Sequence, residues 1–90
     1  MAMTSETALE LFGRVVRQYR RNLNLTQKEL ATRTGWKPSF IGEVEAGKRN
    51  VTFHTILRLA RAFDIEASAL FELVDQRPEL YPGHKINGGA

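Results

Sequence analysis

The chain of 90 residues contains no cysteine. This excludes disulfides and thiolate metal sites but says little about compartment, since proteins on either side of a membrane often lack cysteine. No apolar run approaches the roughly 18 residues that a membrane span needs. The acidic start from Met1 to Glu10 also lacks the basic-then-apolar order of a signal peptide. A cytoplasmic protein with no membrane partner is the expectation. A glycine-rich phosphate loop is missing too. The two histidines, His54 and His84, have no serine or carboxylate constellation and no metal-ligand spacing around them. Neither enzymatic activity nor a cofactor is expected. Internal repeats and strand-like alternation are likewise missing, and the length allows one small domain that buries roughly 60% of its unfolded surface.

What is present is an ordinary globular composition, 42% hydrophobic and 26% charged, with a net charge of +3 and a pI of about 9.7. The charge is unevenly distributed. Basic residues fall at Arg14, Arg17, Arg20, Arg21, Lys28, Arg33, Lys37, Lys48 and Arg49, whereas Asp64 to Glu79 carries five acids against one base, Arg77. The basic half suits a polyanionic partner.

Capping signals divide the chain into helices. Thr7 and Glu10 have capping-box spacing, and Leu9, Phe12, Val16, Tyr19 and Leu23 recur at helical intervals, so a first helix should run to about Asn22, with Asn24 as a left-handed stop. Thr26 and Glu29 form a second capping box, opening a short helix that ends before Gly35. Pro38 suits the first turn of a third helix, which should end near Ala46 with Gly47 as its cap. Thr52 is the expected N-cap of a fourth helix with Phe53, Ile56, Leu57, Ala60 and Phe63 on one apolar face, stopped by Asp64. A fifth helix is expected from about Ala67 to Val74, burying Leu70 and either Phe71 or Val74. Beyond Gln76, Arg77-Pro78, Tyr81-Pro82-Gly83 and Asn87-Gly88-Gly89 read as a loose tail. The expected organisation is a flank at 1–7, an all-α five-helix domain at 8–76 and a flexible tail at 77–90.

Thr26 to Arg49 fits a helix-turn-helix. Counted from Gln27, Leu30, Ala31, Gly35, Trp36, Ile41 and Val44 fall at the fourth, fifth, ninth, tenth, fifteenth and eighteenth places. Two steeply crossing helices leave room only for a small side chain where they touch, hence Ala31, and the tight turn favours a residue that tolerates positive φ, hence Gly35. Leu30, Trp36, Ile41 and Val44 can then close a small shared core.

With these residues the chain resembles the xenobiotic-response-element (XRE) family of regulators, which has the lambda-repressor-like fold and includes Cro proteins. The likeness runs from Phe12-Gly13, Val16-Arg17 and Arg20 through Leu25-Thr26-Gln27, Glu29-Leu30-Ala31, Gly35, Ser39, Ile41, Val44-Glu45 and Gly47-Lys48-Arg49 to Leu57–Ala60 and Leu70-Phe71. Within it, Arg49-Asn50-Val51-Thr52 resembles the small controller proteins of restriction-modification systems; a phage-type repressor and an antitoxin that represses its own operon remain alternatives. The departures are Thr34 where an apolar residue is usual, Lys37 where a Ser or Thr cap is usual, and Gly42 where Ser is frequent. A glycine inside a helix costs about 1 kcal/mol relative to alanine, which suggests a close approach at Gly42.

The resemblance implies that the third helix enters the major groove of double-stranded DNA. The expected base-reading residues are Lys37, Pro38, Ser39, Phe40, Gly42 and Glu43. Lys37 would donate to guanine, Ser39 donate or accept, and Glu43 accept from cytosine. Phe40 would either press on a thymine methyl or a flexible base step, or pack against the second helix. Gln27, Lys48, Arg49 and Asn50 are the expected phosphate contacts; Arg17 is either another or a plain surface arginine. The resemblance further implies a structural ion pair between Arg20 and Glu45. One such domain reads only a few base pairs, so a homodimer on an inverted repeat is expected, with Leu70, Phe71, Leu73 and Val74 as its contact; the alternative is closure of the monomer core, which must use at least some of the four. The alternative is a module of the same fold whose main partner is another protein. Only DNA binding gives a steep salt dependence that weakens on removal of Lys48 or Arg49.

Overall fold

The computed structural model describes residues 6–80. Within them the protein is all-α: α1 (Ala8–Asn22), α2 (Gln27–Thr34), α3 (Pro38–Glu45), α4 (Phe53–Phe63), a 3-10 turn at Ala67–Leu70, a single helical turn α5 (Glu72–Asp75), and a 3-10 turn at Pro78–Leu80. The flank at 1–5 and the tail signals at Tyr81-Pro82-Gly83, His84 and Asn87-Gly88-Gly89 lie outside the described residues.

Both expected capping boxes form. The Thr7 and Thr26 hydroxyls accept from the Glu10 and Glu29 amides, and the glutamates accept from the threonine amides in return. Each satisfies two N–H groups that a helix start leaves unpaired. Asn24, Gly35, Gly47 and Asp64 all take positive φ, so the chain turns at each expected stop. The departure at Thr34 is accommodated locally: its side chain is buried, and its hydroxyl donates to the Leu30 and Ala31 carbonyls at 2.9 and 3.1 Å. Lys37 occupies the N-cap of α3 without a side-chain bond, and Pro38 follows at the first turn, where no N–H is missed.

The core joins Phe12, Val15 and Val16 of α1, Leu30 and Ala31 of α2, Ile41 and Val44 of α3, Leu59, Ala60 and Phe63 of α4, and Leu70. Several expectations are corrected here. The buried side of α4 carries Thr55, Leu59, Ala60 and Phe63, whereas Phe53 and Leu57 stand exposed. An alternation of apolar residues along α4 permits two stripes, and packing on the second helix and the Ala67–Leu70 turn selects the one containing Leu59. Leu23 is exposed, while Leu11 and Val15 are buried, because α1 is covered by the C-terminal segment as well as by α3. Trp36 sits half-buried at the edge of the core. The fifth helix is not continuous; it breaks at Phe71, whose ring stacks on Phe12 at 6.3 Å between centroids.

Gly42 does not mark a close approach, since an added Cβ would meet only the Gln27 side chain at 3.6 Å, an ordinary contact. Close approaches are at Gly47, where an added Cβ would lie 2.6 to 2.8 Å from Glu10, and at Gly13, where it would lie 2.4 and 2.5 Å from the Glu45 and Val44 carbonyl oxygens. α1 therefore crosses the last turn of α3 almost backbone to backbone.

Candidate nucleic-acid interface

α3 is fixed from beneath by Ile41 and Val44, both essentially out of water, and at its C-terminal end by Glu45. The Glu45 side chain has no solvent exposure. Arg20 of α1 donates from Nε to Glu45 Oε2 at 2.6 Å and from Nη2 to Oε1 at 3.0 Å, with its Nη1 on the Leu25 carbonyl at 2.7 Å. This fork fixes the start of the α1–α2 connection and the end of α3 on one guanidinium. Gln27 Nε2 adds a bond to Glu45 Oε1 at 3.1 Å, and Arg17 Nε lies at 3.5 Å from the same oxygen. Burial pushes the Glu45 carboxyl up, but the bonds from Arg20 and Gln27, the Arg20 charge and the Arg17 bond outweigh it and hold the group below its ordinary value. Arg20 is held above its ordinary value, first by the bond to Glu45, with desolvation opposing and the carboxylate charge adding. The acid in the motif is therefore a tether between α1, α2 and α3.

The opposite side of α3 is open. Lys37, Pro38 and Ser39 are exposed, and Phe40, Gly42 and Glu43 are half-buried along the same helix. Beyond it, Lys48, Arg49 and Asn50 are exposed after the left-handed turn at Gly47. Two of these side chains are already engaged. Glu43 Oε1 accepts from Arg49 at 2.8 Å, and the Arg49 guanidinium lies over the Phe40 ring, 5.1 Å from its centroid. Phe40 in turn touches Trp36, centroid to centroid 4.9 Å, so one side of its ring packs on the turn that leads into α3.

Sequence reasoning missed the other end of this stack. Arg58 of α4 covers the far side of the indole at 5.5 Å, while its Nη1 donates to the Thr34 carbonyl at the end of α2. Arg33 of α2 reciprocates by donating to the Ala62 carbonyl near the end of α4. Each arginine satisfies a helix-end carbonyl that has no partner of its own. No local signal marks the pairs, because the partners are 24 and 29 positions apart.

Gln27 stands in the first turn of α2 as expected, and one N–H of its side-chain amide is directed to Glu45. Of the residues expected to join a second copy, Leu70 is entirely inside the monomer core, Phe71 and Val74 are half-buried against it, and only Leu73 stands exposed. His54 is exposed and contacts Arg58. No group of acids and histidines capable of holding a metal ion occurs among the described residues, and no helix there is long and apolar enough to cross a membrane.

Residues 16–70 match the helix-turn-helix family. The chain is 44% identical to the restriction-modification controller protein C.AhdI from Aeromonas hydrophila, with a TM-score of 0.68 over 70% of this chain and 91% of that one. It is 39% identical over 61 residues to the control protein C.SmaI from Serratia marcescens, covering 68% of this chain and 73% of that protein. A similar fold, TM-score 0.70 at 19% identity over 80% of this chain and 95% of the other, occurs in the controller protein C.Esp1396I, solved as a tetramer with its natural 35 base-pair operator.

Proposed function

Because the chain belongs to the XRE-type helix-turn-helix family of DNA-binding regulators, we propose that it acts as a homodimer on an inverted-repeat operator, one α3 in the major groove of each half-site. It is a regulator of the controller-protein type and not an enzyme. The observation that carries the finer reading is the asymmetry of α3. Its inner side is locked by Ile41, Val44 and the Arg20–Glu45 fork, and its outer side offers Lys37, Ser39, Phe40 and Glu43. Pro38 and Gly42 add no donor there but keep the helix surface low, so that it can approach base edges closely.

Lys48 and Asn50 are proposed to hold phosphates and set register, with Arg17 reaching the backbone from α1. Gln27 contributes through the N–H groups of the first turn of α2, where the helix dipole favours an anion. Two copies supply the affinity that one short helix lacks, with half-site centres about 34 Å apart.

For the dimer contact a second surface is proposed besides the last helix. With Leu70 in the core and Phe71 and Val74 half-buried, the last helix offers Leu73 as its one exposed large apolar side chain. A shallow depression of about 510 Å³ lies between α4 and the following loop, lined by Leu57, Ala60, Ile65 and Ala67 with Arg61 and Asp64. An isologous two-fold contact needs a self-complementary patch, and opposite charges beside an apolar floor meet that need. Leu57→Glu is expected to shift the protein to monomer in analytical ultracentrifugation and to weaken operator binding. A variant that stays dimeric would move the contact elsewhere.

The test of the function is selection of bound duplexes from random DNA at about 150 mM salt, where non-specific phosphate binding is weak. Enrichment of an inverted repeat is expected. Lys48→Ala should then weaken binding to every sequence alike and lower the salt slope by about 1. No enrichment by folded, dimeric protein would point to a protein partner.

A further inference from the structure

The ion pair between Glu43 and Arg49 lies on the open side of α3, and its geometry is lopsided. Arg49 brings both Nε and Nη2 to a single oxygen, Glu43 Oε1, each at 2.8 Å. Glu43 Oε2 and Arg49 Nη1 make no hydrogen bond among the described residues. Both side chains keep about half of their surface in water, 46% for Glu43 and 50% for Arg49. The pair therefore presents one acceptor edge next to one donor edge. Its orientation is held by Phe40 under the guanidinium and by Trp36 against Phe40.

We propose that Glu43 and Arg49 act as one composite reader of a G·C base pair, Arg49 Nη1 donating to guanine N7 or O6 while Glu43 Oε2 accepts from the cytosine N4 amino group. The inference rests on the DNA-binding function above and moves Arg49 from phosphate contact to base reading. In the major groove a G·C pair presents, in order, the acceptors N7 and O6 and the donor N4. A guanidinium N–H followed by a carboxylate oxygen complements a guanine acceptor and the cytosine donor in that order. An A·T pair presents acceptor, donor, acceptor, so thymine O4 would face the carboxylate. The reversed C·G pair places the donor opposite the arginine, and the reversed T·A pair places the N7 acceptor of adenine opposite the carboxylate.

Charge favours the composite over two independent readers. A lone carboxylate in the groove is repelled by the flanking phosphates, whereas a pair with no net charge is not. Opposite a wrong base pair, the free edges of both side chains lose water without gaining partners, and an unsatisfied polar group is penalised more than a satisfied one is rewarded. The stacked, bridged arginine also loses little freedom on binding, so the discrimination is not offset by ordering a flexible side chain.

The experiment uses the site enriched by the wild-type protein. Affinities of wild type, Glu43→Gln, Arg49→Gln and the double variant are measured against all four base pairs at each half-site position. Each single variant is expected to lose about tenfold or more of its preference for G·C at one and the same position. The double variant should lose no more than either single one, and Glu43→Gln should leave the salt slope unchanged. Effects at two different positions would overturn the proposal. So would a uniform weakening by Arg49→Gln with a smaller salt slope, which marks a phosphate clamp, or a uniform tightening by Glu43→Gln, which marks a merely repulsive charge. Loss of a preference for A·T at the shared position would overturn the G·C assignment. Both side chains lie outside the core, so the variants should fold as the parent does, which a thermal melt checks. A wild-type protein with no preferred sequence would sink the DNA-binding function and the inference together, whereas specific binding with independent effects sinks only the inference.

Discussion

Arg20→Ala is expected to destabilise the fold by about 3 to 5 kcal/mol in urea unfolding near neutral pH. The size follows from what is left behind. The Glu45 side chain has no solvent exposure, and with Arg20 gone its carboxylate keeps only Gln27 at 3.1 Å and Arg17 at 3.5 Å. An uncompensated charge in that position costs more than the ion pair contributes. Replacing both partners by apolar residues of similar size, Arg20→Met with Glu45→Leu, is therefore expected to be much milder than the single change. A loss below about 1 kcal/mol for Arg20→Ala would contradict a buried tether, since that is what an exposed pair yields.

The same pair sets a pH dependence. The Glu45 carboxyl is held below its ordinary value, so as acid is added the unfolded chain takes up this proton first. The stability contributed by Glu45 is fully present above the ordinary glutamate range near pH 4.3, and is lost as pH falls through the lower folded value. Arg20 shifts upward from a value already far above neutrality and adds no slope in that window. Unfolding midpoints measured between neutrality and about pH 3 should fall more steeply for wild type than for the apolar double variant. Because the fork connects α1 with the end of α3, loss of stability and loss of operator binding should appear together.

Gly13→Ala is expected to cost about 3 kcal/mol, the upper end of ordinary overpacking. The new methyl would lie 2.4 to 2.5 Å from two carbonyl oxygens, and both belong to the backbone of α3, which cannot rotate aside as a side chain can. Helix propensity alone predicts the opposite sign. Gly42→Ala supplies the control, because its methyl meets only the flexible Gln27 side chain at 3.6 Å, and there the substitution should gain about 1 kcal/mol. Chemical denaturation of both variants decides the matter, and equal effects at the two positions would mean that α1 and α3 do not approach as closely as described. Gly13→Ala should also impair DNA binding, since relief of the clash displaces the last turn of the helix that carries Glu43.

The two glycines mark a limit of sequence reading. Gly42 drew attention because it interrupts a helix, yet its surroundings are ordinary. Gly13 stood in the family likeness beside Phe12 with no role read for it, yet α3 presses on it. What a glycine is for depends on the element that crosses it, and a crossing leaves no trace in the local sequence. Similar reasoning covers the Gln27 side chain, which bonds to a carboxylate 18 positions away.

Local signals determined the order and ends of α1 to α4. Capping boxes at Thr7 and Thr26, proline at the start of α3 and left-handed stops at Asn24, Gly35, Gly47 and Asp64 all act within about one helical turn, so the chain carries them whatever it packs against. The helix-turn-helix was legible for the same reason, since Leu30, Ala31, Gly35, Ile41 and Val44 lie close in sequence as well as in space. Only the tertiary structure decided which stripe of α4 is buried, that the last helix breaks at Phe71, and that Arg49 bridges to Glu43 over Phe40. Those outcomes depend on which surfaces neighbouring elements cover and which charges they bring together, and burial and pairing are properties of the assembled fold rather than of any one segment.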